Sequence, residues 1–263
     1  MAHRRGILSA ASLMVGAAAS ADAIRRARLM PTLRVGLHVV MVDGRPTLPS
    51  SAIPLLVNRR GWLRSDLVAM GCLLARSSQA RRQLAAEISA QFEAYRATGL
   101  RLDHCNAHKH FHLHPVVSQL LISIGAGFGL RAIRVPRESR RLLAGIDPND
   151  HGFPSIAAPF AALLRRRIRA AGLCTTDQVF GLQWSGHMTK HRLLNLIRNL
   201  PAGLSEIYLH PATGPYAGHA PGYRYRDELE ALLDVEVLAA ARLVKVGGFG
   251  DFMTQEAPRH AIT

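Results

Sequence analysis

The feature that most limits how this chain can fold is an alternation of β-prone and helix-periodic segments that runs nearly its whole length. Ile7 to Val15 reads as a buried strand, and "SADAIRRARLM" behind it has helical spacing with Ser20 as cap. "LRVGLHVVMV" (33–42) is a strand running into the turn Asp43-Gly44. Residues 77–98 make the clearest helix, with Ser78 as its cap, Leu84, Ile88, Phe92 and Tyr95 along one face, and Gly99 as its stop. Then come a strand over 101–114, a helix opened by Pro115, a strand at 131–136 and, after a less regular stretch, a helix over 154–173. An extended piece at 178–185, a helix at 189–200, a strand at 204–211 and a helix over 225–243 complete the series. This order predicts a parallel α/β sheet, closed as a barrel or open and doubly wound. A chain of 263 residues, 48% apolar and 19% charged, is expected to form a single domain, residues 1–263.

In parallel α/β folds ligands gather at the C-terminal ends of strands, and the polar residues of this sequence fall there. His38 lies in "GLHVV", Arg134 and Glu138 flank "RVPRE", and His210 sits in "YLHP". The densest stretch is "DHCNAHKHFHLHP" (103–115), with five of the chain's thirteen histidines inside eleven positions. Neutral imidazole is a common ligand for catalytic divalent ions and titrates near neutral pH, so a metal or acid/base site is the first expectation. On a regular strand Asn106, His108, His110, His112 and His114 share one face, while His104 is read as turned away and not a ligand. Five polar groups on one face either line a polar interior or bind something. A metal rarely takes more than two or three protein imidazoles, so some of the set are ordinary buried histidines.

The bland readings stand beside these. His38 and His210 could each be a hydrogen-bonded core histidine, although Gly36 beside His38 permits a close backbone approach. Arg134 and Glu138 could be no more than a structural ion pair. In "GLQWSGHMT", Trp184 could stack on a sugar ring beside His187, or simply belong to the core.

The formal charge of +15 comes from 30 Arg and three Lys, scattered along the chain. It favours anionic partners, and the Arg-rich stretch 164–172 could make peripheral contact with an anionic membrane surface, but a solvated surface explains it as well. No zinc-finger spacing, RNP-like motif or helix-turn-helix signal accompanies the charge, so nucleic acid is not an expected partner. Three widely spaced cysteines, Cys72, Cys105 and Cys174, suggest a reducing compartment, hence the cytoplasm, with the inner membrane face as a further option. The opening "MAHRRGILSAASLMVGAAASADA" imitates a secretory signal, yet no apolar run reaches the roughly 18 residues of a spanning helix.

Four segments together, "LRVGLHVVMVDGRP", "HCNAHKHFHLHP", "IRVPRE" and "SEIYLHPAT" with "PGYRYRDELEAL", resemble the YdjC-like carbohydrate deacetylases, most closely the branch associated with hopanoid biosynthesis. The resemblance implies a distorted TIM-like (β/α) barrel with a divalent metal, Mg²⁺ or Zn²⁺, held by an Asp and two His. By it the ligands here are His38 and one cluster histidine, taken as His108 with His110 and His112 as rivals. His210 matches the family's catalytic strand-end His-Pro motif, and Arg134 and Glu138 match its Arg-x-Pro motif. It also favours the strand reading of the N-terminal segment over the secretory one.

The implied reaction removes acetate from an N-acetylamino sugar, with an N-acetylglucosamine unit on a hopanoid lipid as the finer option, and the implied partner is that sugar or glycolipid; a homodimer is allowed. Family members begin with a strand ending in an Asp-Asp-Phe-Gly type motif that supplies a metal-binding Asp and a base-like Asp. By the resemblance that strand is expected to be missing here, since Asp43 and Asp103 stand in other motifs. A start placed too far downstream is the simplest expected reason, and the chain as written is expected to bind metal weakly and turn over slowly or not at all. Another barrel metallohydrolase, or a non-catalytic carbohydrate-binding relic, are the competing expectations.

Overall fold

The structure is a computed structural model that describes residues 1–148, 157–216 and 218–253. Its elements are α1 (Ala2–Arg5), β1 (Ala10–Leu13), α2 (Ser20–Arg28), β2 (Arg34–Val39), α3 (Leu67–Arg76), α4 (Ser78–Ala97), β3 (Leu102–Ala107) and α5 (Pro115–Ala126). They continue with α6 (Arg140–Ile146), α7 (Ala158–Ala170), β4 (Gln178–Phe180), α8 (Lys190–Arg198), β5 (Ser205–Ile207), α9 (Tyr225–Leu233) and α10 (Val235–Ala241). All ladders between these strands are parallel, in the orders β1-β2-β3 and β4-β5. Single parallel bridges, Cys105 to Ile133 and Ala132 to Cys174, carry the pairing onward from β3, and Val179 N donates to Arg137 O at 2.8 Å. The strands thus lie side by side in chain order, each parallel pair joined by a connection long enough to return the chain to the same edge.

The α/β class with parallel strands is as expected. Barrel closure is not seen: among the described residues no ladder joins β5 to β1, and the sheet is an open arc. The segment that imitates a secretory signal is built into the fold. Its β1 pairs with β2 from Ala10↔Arg34 to Leu13↔Leu37, and Ala2 is buried against Leu232 and Val237. Among the described residues no helix is long and apolar enough to cross a membrane.

Two apolar clusters hold the arc. The larger packs Leu37, Val39, Cys105 and Ile133 of the sheet against Leu84, Ile88 and Phe92 of α4 and Val117 and Leu121 of α5. The smaller joins Phe180 to Leu193, Leu196 and Ile197 of α8 and to α9 and α10, and includes Trp184. Each fully buried side chain of this kind is worth about 1.5–3 kcal/mol. The predicted face of α4 is the one buried, and the helix also carries a polar clamp. Gln91 brackets Val40 by donating to its carbonyl (2.6 Å) and accepting from its amide (2.9 Å), Glu87 accepts from Thr47 N and Leu48 N, and Tyr95 OH donates to Val35 O. These bonds fix both ends of β2, and therefore His38 near its C-terminal end.

Several expectations change in detail. The cap of α4 is Ser77, whose Oγ accepts from Ala80 N, and Ser78 is the first helical residue. The predicted helix over 225–243 breaks at Asp234, which ends α9 and caps α10 by accepting from Glu236 N and Val237 N. The extended piece at 178–185 stops at Phe180, where Gly181 takes φ +114°. Of the helix expected over 154–173, positions 154–156 lie outside the described residues.

Candidate active site

The expected strand over 101–114 ends at Ala107. Residues His108–Leu113 instead form a 3₁₀ segment in which Lys109 and His110 take left-handed φ of 51° and 53°. Side-chain alternation therefore stops, and His108, His110, His112 and His114 do not share one face. A second irregularity precedes it. Val35 pairs with Leu102 but Leu37 with Cys105, so Asp103 and His104 together face the single residue Gly36. Such a bulge re-aims a side chain. A methyl group on Gly36 would lie 2.6 Å from the His104 ring, and with hydrogen in its place the imidazole reaches over β2 to Ser12 Oγ on β1, at 3.0 Å. His104 was expected to face away. It shares the face of Asn106, because both contact Ser12 Oγ.

His38 is in register with Asn106 across β2 and β3, and its ring stands edge-on to that of His108, with centroids 5.7 Å apart. Asn106 turns its amide nitrogen to His38 Nδ1 (2.6 Å) and its oxygen to Ser12 Oγ (2.8 Å) and the Arg134 guanidinium (3.2 Å). Burial, with His108 and Arg134 adding to it, pushes His38 down to about 3. His108 is also lowered, by burial and then by Lys109, which pairs with Asp43 at 2.5 Å. The two rings are therefore neutral near pH 7, the protonation state a metal ligand needs.

The rivals are placed differently. His112 is fully buried, its Nε2 bonded to the Arg134 carbonyl at 2.8 Å, and burial lowers it to about 4. His110 has its Nε2 3.4 Å from Tyr208 OH, while its buried Nδ1 has no protein partner; burial, then His112 and Arg134, hold it well below the ordinary value. His114 caps α5 by accepting from Val116 N at 3.3 Å.

On the facing part of the arc, Glu206, Tyr208 and His210 follow one another at alternate positions. Arg134 is bound through Nε and Nη2 to the Glu206 carboxylate and lies over the Tyr208 ring, 4.6 Å from its centroid. His210 has Tyr223 beside it at 5.1 Å, and its backbone amide donates to the buried Glu228. Burial first, then Arg134 and His108, lower the His210 ring to about 4. The ion pair considered between Arg134 and Glu138 is not formed. Glu138 accepts from the amides of Gly181, Leu182 and Gln183 at 2.7–2.9 Å and so fixes the turn after β4. Trp184 is buried under the Arg192 guanidinium and belongs to the smaller core, and His187 is exposed at the edge of Tyr223.

Sequence reasoning missed Ser12, Glu206 and Tyr208. The last two were readable, since they sit at even spacing from His210 on a strand already recognised. Ser12 carried no local signal. Among the described residues no three His, Cys, Asp or Glu side chains converge to hold an ion. The donor set is two neutral imidazoles, His38 and His108, which fit part of a divalent ion's coordination and leave the charged ligand unassigned.

Parallel strands between helices, with histidines grouped at their C-terminal ends, define an α/β protein with a candidate site at that end of the sheet. Residues 1–242 match the family described as YdjC-like protein, and the chain belongs to that family. A carbohydrate deacetylase of Mus musculus is 31% identical over 90% of this chain and 81% of its own length. One of Brevibacillus brevis is 31% identical over 47% of this chain; the match spans about half of that relative, 46%. A solved Enterococcus faecalis structure, described as a candidate cellobiose-phosphate cleavage protein, superposes with a TM-score of 0.74 over 96% of this chain and 91% of that one at 18% identity, a likeness of fold.

Proposed function

We propose that the chain works as a metal-dependent carbohydrate deacetylase, releasing acetate from an N-acetylamino sugar, with an N-acetylglucosamine unit on a hopanoid lipid as the specific candidate. The observation that carries this reading is the meeting of His38 and His108, edge to face at 5.7 Å, in a chain with carbohydrate deacetylase relatives over most of its length. The arc is read as the greater part of a distorted barrel, and the setting as the cytoplasm, on the strength of three free cysteines. Peripheral contact with an anionic membrane through the Arg-rich α7 would suit a lipid-linked substrate.

A divalent ion, Mg²⁺ or Zn²⁺, would be held by His38 and His108 and would polarise the acetyl carbonyl and its attacking water. The remaining work falls to the chain's own groups. His210 is neutral above pH about 4, so it acts first as an acceptor of the water's proton and then returns that proton to the leaving amine. Arg134, immobilised by Glu206 and Tyr208, contributes a fixed positive charge where the carbonyl oxygen becomes negative. Glu138 holds the 181–183 turn by accepting from three of its amides, which gives it a positioning role.

The test is acetate release and amine appearance from a panel of N-acetylated sugars with and without Mg²⁺ or Zn²⁺, for the native chain and for His38→Ala, His108→Ala and His210→Ala. Activity lost in all three variants supports the reading, and activity unchanged in the first two sinks it. The absence of a converging third ligand among the described residues favours a second reading, a carbohydrate-binding protein without turnover. Saturable sugar binding with no acetate release would select it.

A further inference from the structure

We infer that Asp103, His104, Ser12 and Asn106 form a directional hydrogen-bond chain that decides which ring nitrogen of His38 carries the proton. The links run Asp103 Oδ2 to His104 Nδ1 (2.9 Å), His104 Nε2 to Ser12 Oγ (3.0 Å), Ser12 Oγ to the Asn106 amide (2.8 Å) and Asn106 to His38 Nδ1 (2.6 Å). All four partners of His38 in this chain lie on the two strands that flank β2, Ser12 on β1 and the other three on β3, and only the missing side chain at Gly36 lets His104 join it.

Counting donors fixes the direction. The Arg134 guanidinium can only donate, and it faces the Asn106 atom that also faces Ser12, so that atom is the amide oxygen. Ser12 has one proton and spends it there. Its Oγ then accepts from His104 Nε2–H while His104 Nδ1–H donates to Asp103, so in this setting His104 gives both ring protons and is the imidazolium, balanced by the Asp103 carboxylate that also accepts from Phe249 N and Gly250 N. At the other end the Asn106 amide nitrogen donates to His38 Nδ1, which leaves the His38 proton on Nε2. Turning the amide over reverses the three links between His38 and His104: His38 Nδ1–H donates to Asn106, Asn106 to Ser12, and Ser12 to the Nε2 lone pair of a neutral His104, whose Nδ1–H still donates to Asp103, so this change of setting releases one proton from His104 to solvent. The Nε2 lone pair of His38 is then free, the form an imidazole must adopt to bind an ion through that atom. Asn106 is thus a positioning residue with two settings, one held by Arg134 and the His104 end of the chain, the other by an occupant of the site.

This rests on the reading of His38 as a ligand, but its test does not. In the full-length protein labelled with ¹⁵N-histidine, without substrate or added ion, the two ring-nitrogen shifts of His38 report the tautomer directly; the signals are assigned by their loss in His38→Gln. The native protein is expected to show the proton on Nε2. Asn106→Asp, whose carboxylate only accepts, should move it to Nδ1. Ser12→Ala, at an exposed side chain, should loosen the amide and shift the population part of the way. A native protein already protonated on Nδ1, or a tautomer unaltered in both variants, overturns the chain. If Asn106→Asp fails to fold, Ser12→Ala alone decides. A change in Asn106→Asp with none in Ser12→Ala overturns the part given to Ser12, His104 and Asp103. Because no turnover is measured, failure here leaves the deacetylation assay standing, and failure there leaves this result intact.

Discussion

Arg134 lies over the ring of Tyr208, 4.6 Å from its centroid, with its guanidinium bound side-on by Glu206. Both partners come from the strand region that ends in His210, so one arginine ties the His210 strand to the β3 side of the arc. The pair is buried, with 9% and 14% of the two side chains exposed.

Removing one partner of a buried pair strands the other charge, which costs about 3–5 kcal/mol. Arg134→Met is therefore expected to lower the urea midpoint steeply, and the double variant Arg134→Met with Glu206→Leu to recover much of the loss. A single-variant loss under about 1 kcal/mol would show that water reaches the site and screens the pair.

Gly36→Ala places a methyl group 2.6 Å from both the His104 ring and the His104 carbonyl, and the backbone atom cannot swing away. Overpacking of this kind costs about 1–3 kcal/mol. The expected result is a lowered unfolding midpoint together with a displaced His104 ring signal. An unperturbed His104 would contradict the close approach.

How much of this was legible in the sequence depends on range. Gly36-Leu37-His38 was readable as part of a strand, because the run 33–42 is β-prone throughout. The face of α4 was readable because Leu84, Ile88, Phe92 and Tyr95 repeat at helical spacing. The histidine cluster was legible as chemistry but not as geometry. Its alternation rested on a strand of fourteen residues, and the real strand ends at Ala107, after a bulge at Asp103 and His104 that only pairing with β2 creates. Ser12 was invisible as a site residue for the same reason, since its partner His104 lies 92 positions away; Glu206 could be placed on the face of His210 by spacing, but not its pairing with Arg134, 72 positions away.

The cap of α4 separates two adjacent serines. Ser77 Oγ accepts from Ala80 N at 3.1 Å, whereas Ser78 is inside the first turn. Ser77→Ala is expected to cost about 1 kcal/mol and Ser78→Ala close to nothing. Equal losses in thermal unfolding would restore Ser78 as the cap.

Acid should weaken the fold through its buried histidines. His112 and His210 have folded values near 4 against an ordinary 6.5, chiefly from burial. In the unfolded chain they bind protons at higher pH than in the folded one, so unfolding takes up protons between those limits and stability rises with pH. Stability is complete above pH about 6.5 and falls as pH drops towards 4, by up to about 1.4 kcal/mol per pH unit for each histidine. Urea midpoints flat from pH 7 and declining between 6 and 4.5 are expected; a midpoint constant to pH 5 would mean that the rings are solvated.

Metal affinity should discriminate among the histidines by geometry rather than by number. His38 and His108 meet at 5.7 Å and are neutral, while His114 spends its Nδ1 on the first turn of α5 and His112 spends its Nε2 on the Arg134 carbonyl. Zn²⁺ titration of the native chain followed by calorimetry should therefore lose affinity roughly tenfold or more, a difference of about 1.4 kcal/mol, in His38→Ala and in His108→Ala. His114→Ala should keep the affinity and lower stability by about 1 kcal/mol through the lost cap. His110→Ala tests the remaining rival, since its buried Nδ1 lacks a protein partner. If His110→Ala loses more affinity than His108→Ala, the ion sits deeper towards Tyr208, and His108 belongs to the rim with Lys109 and Asp43.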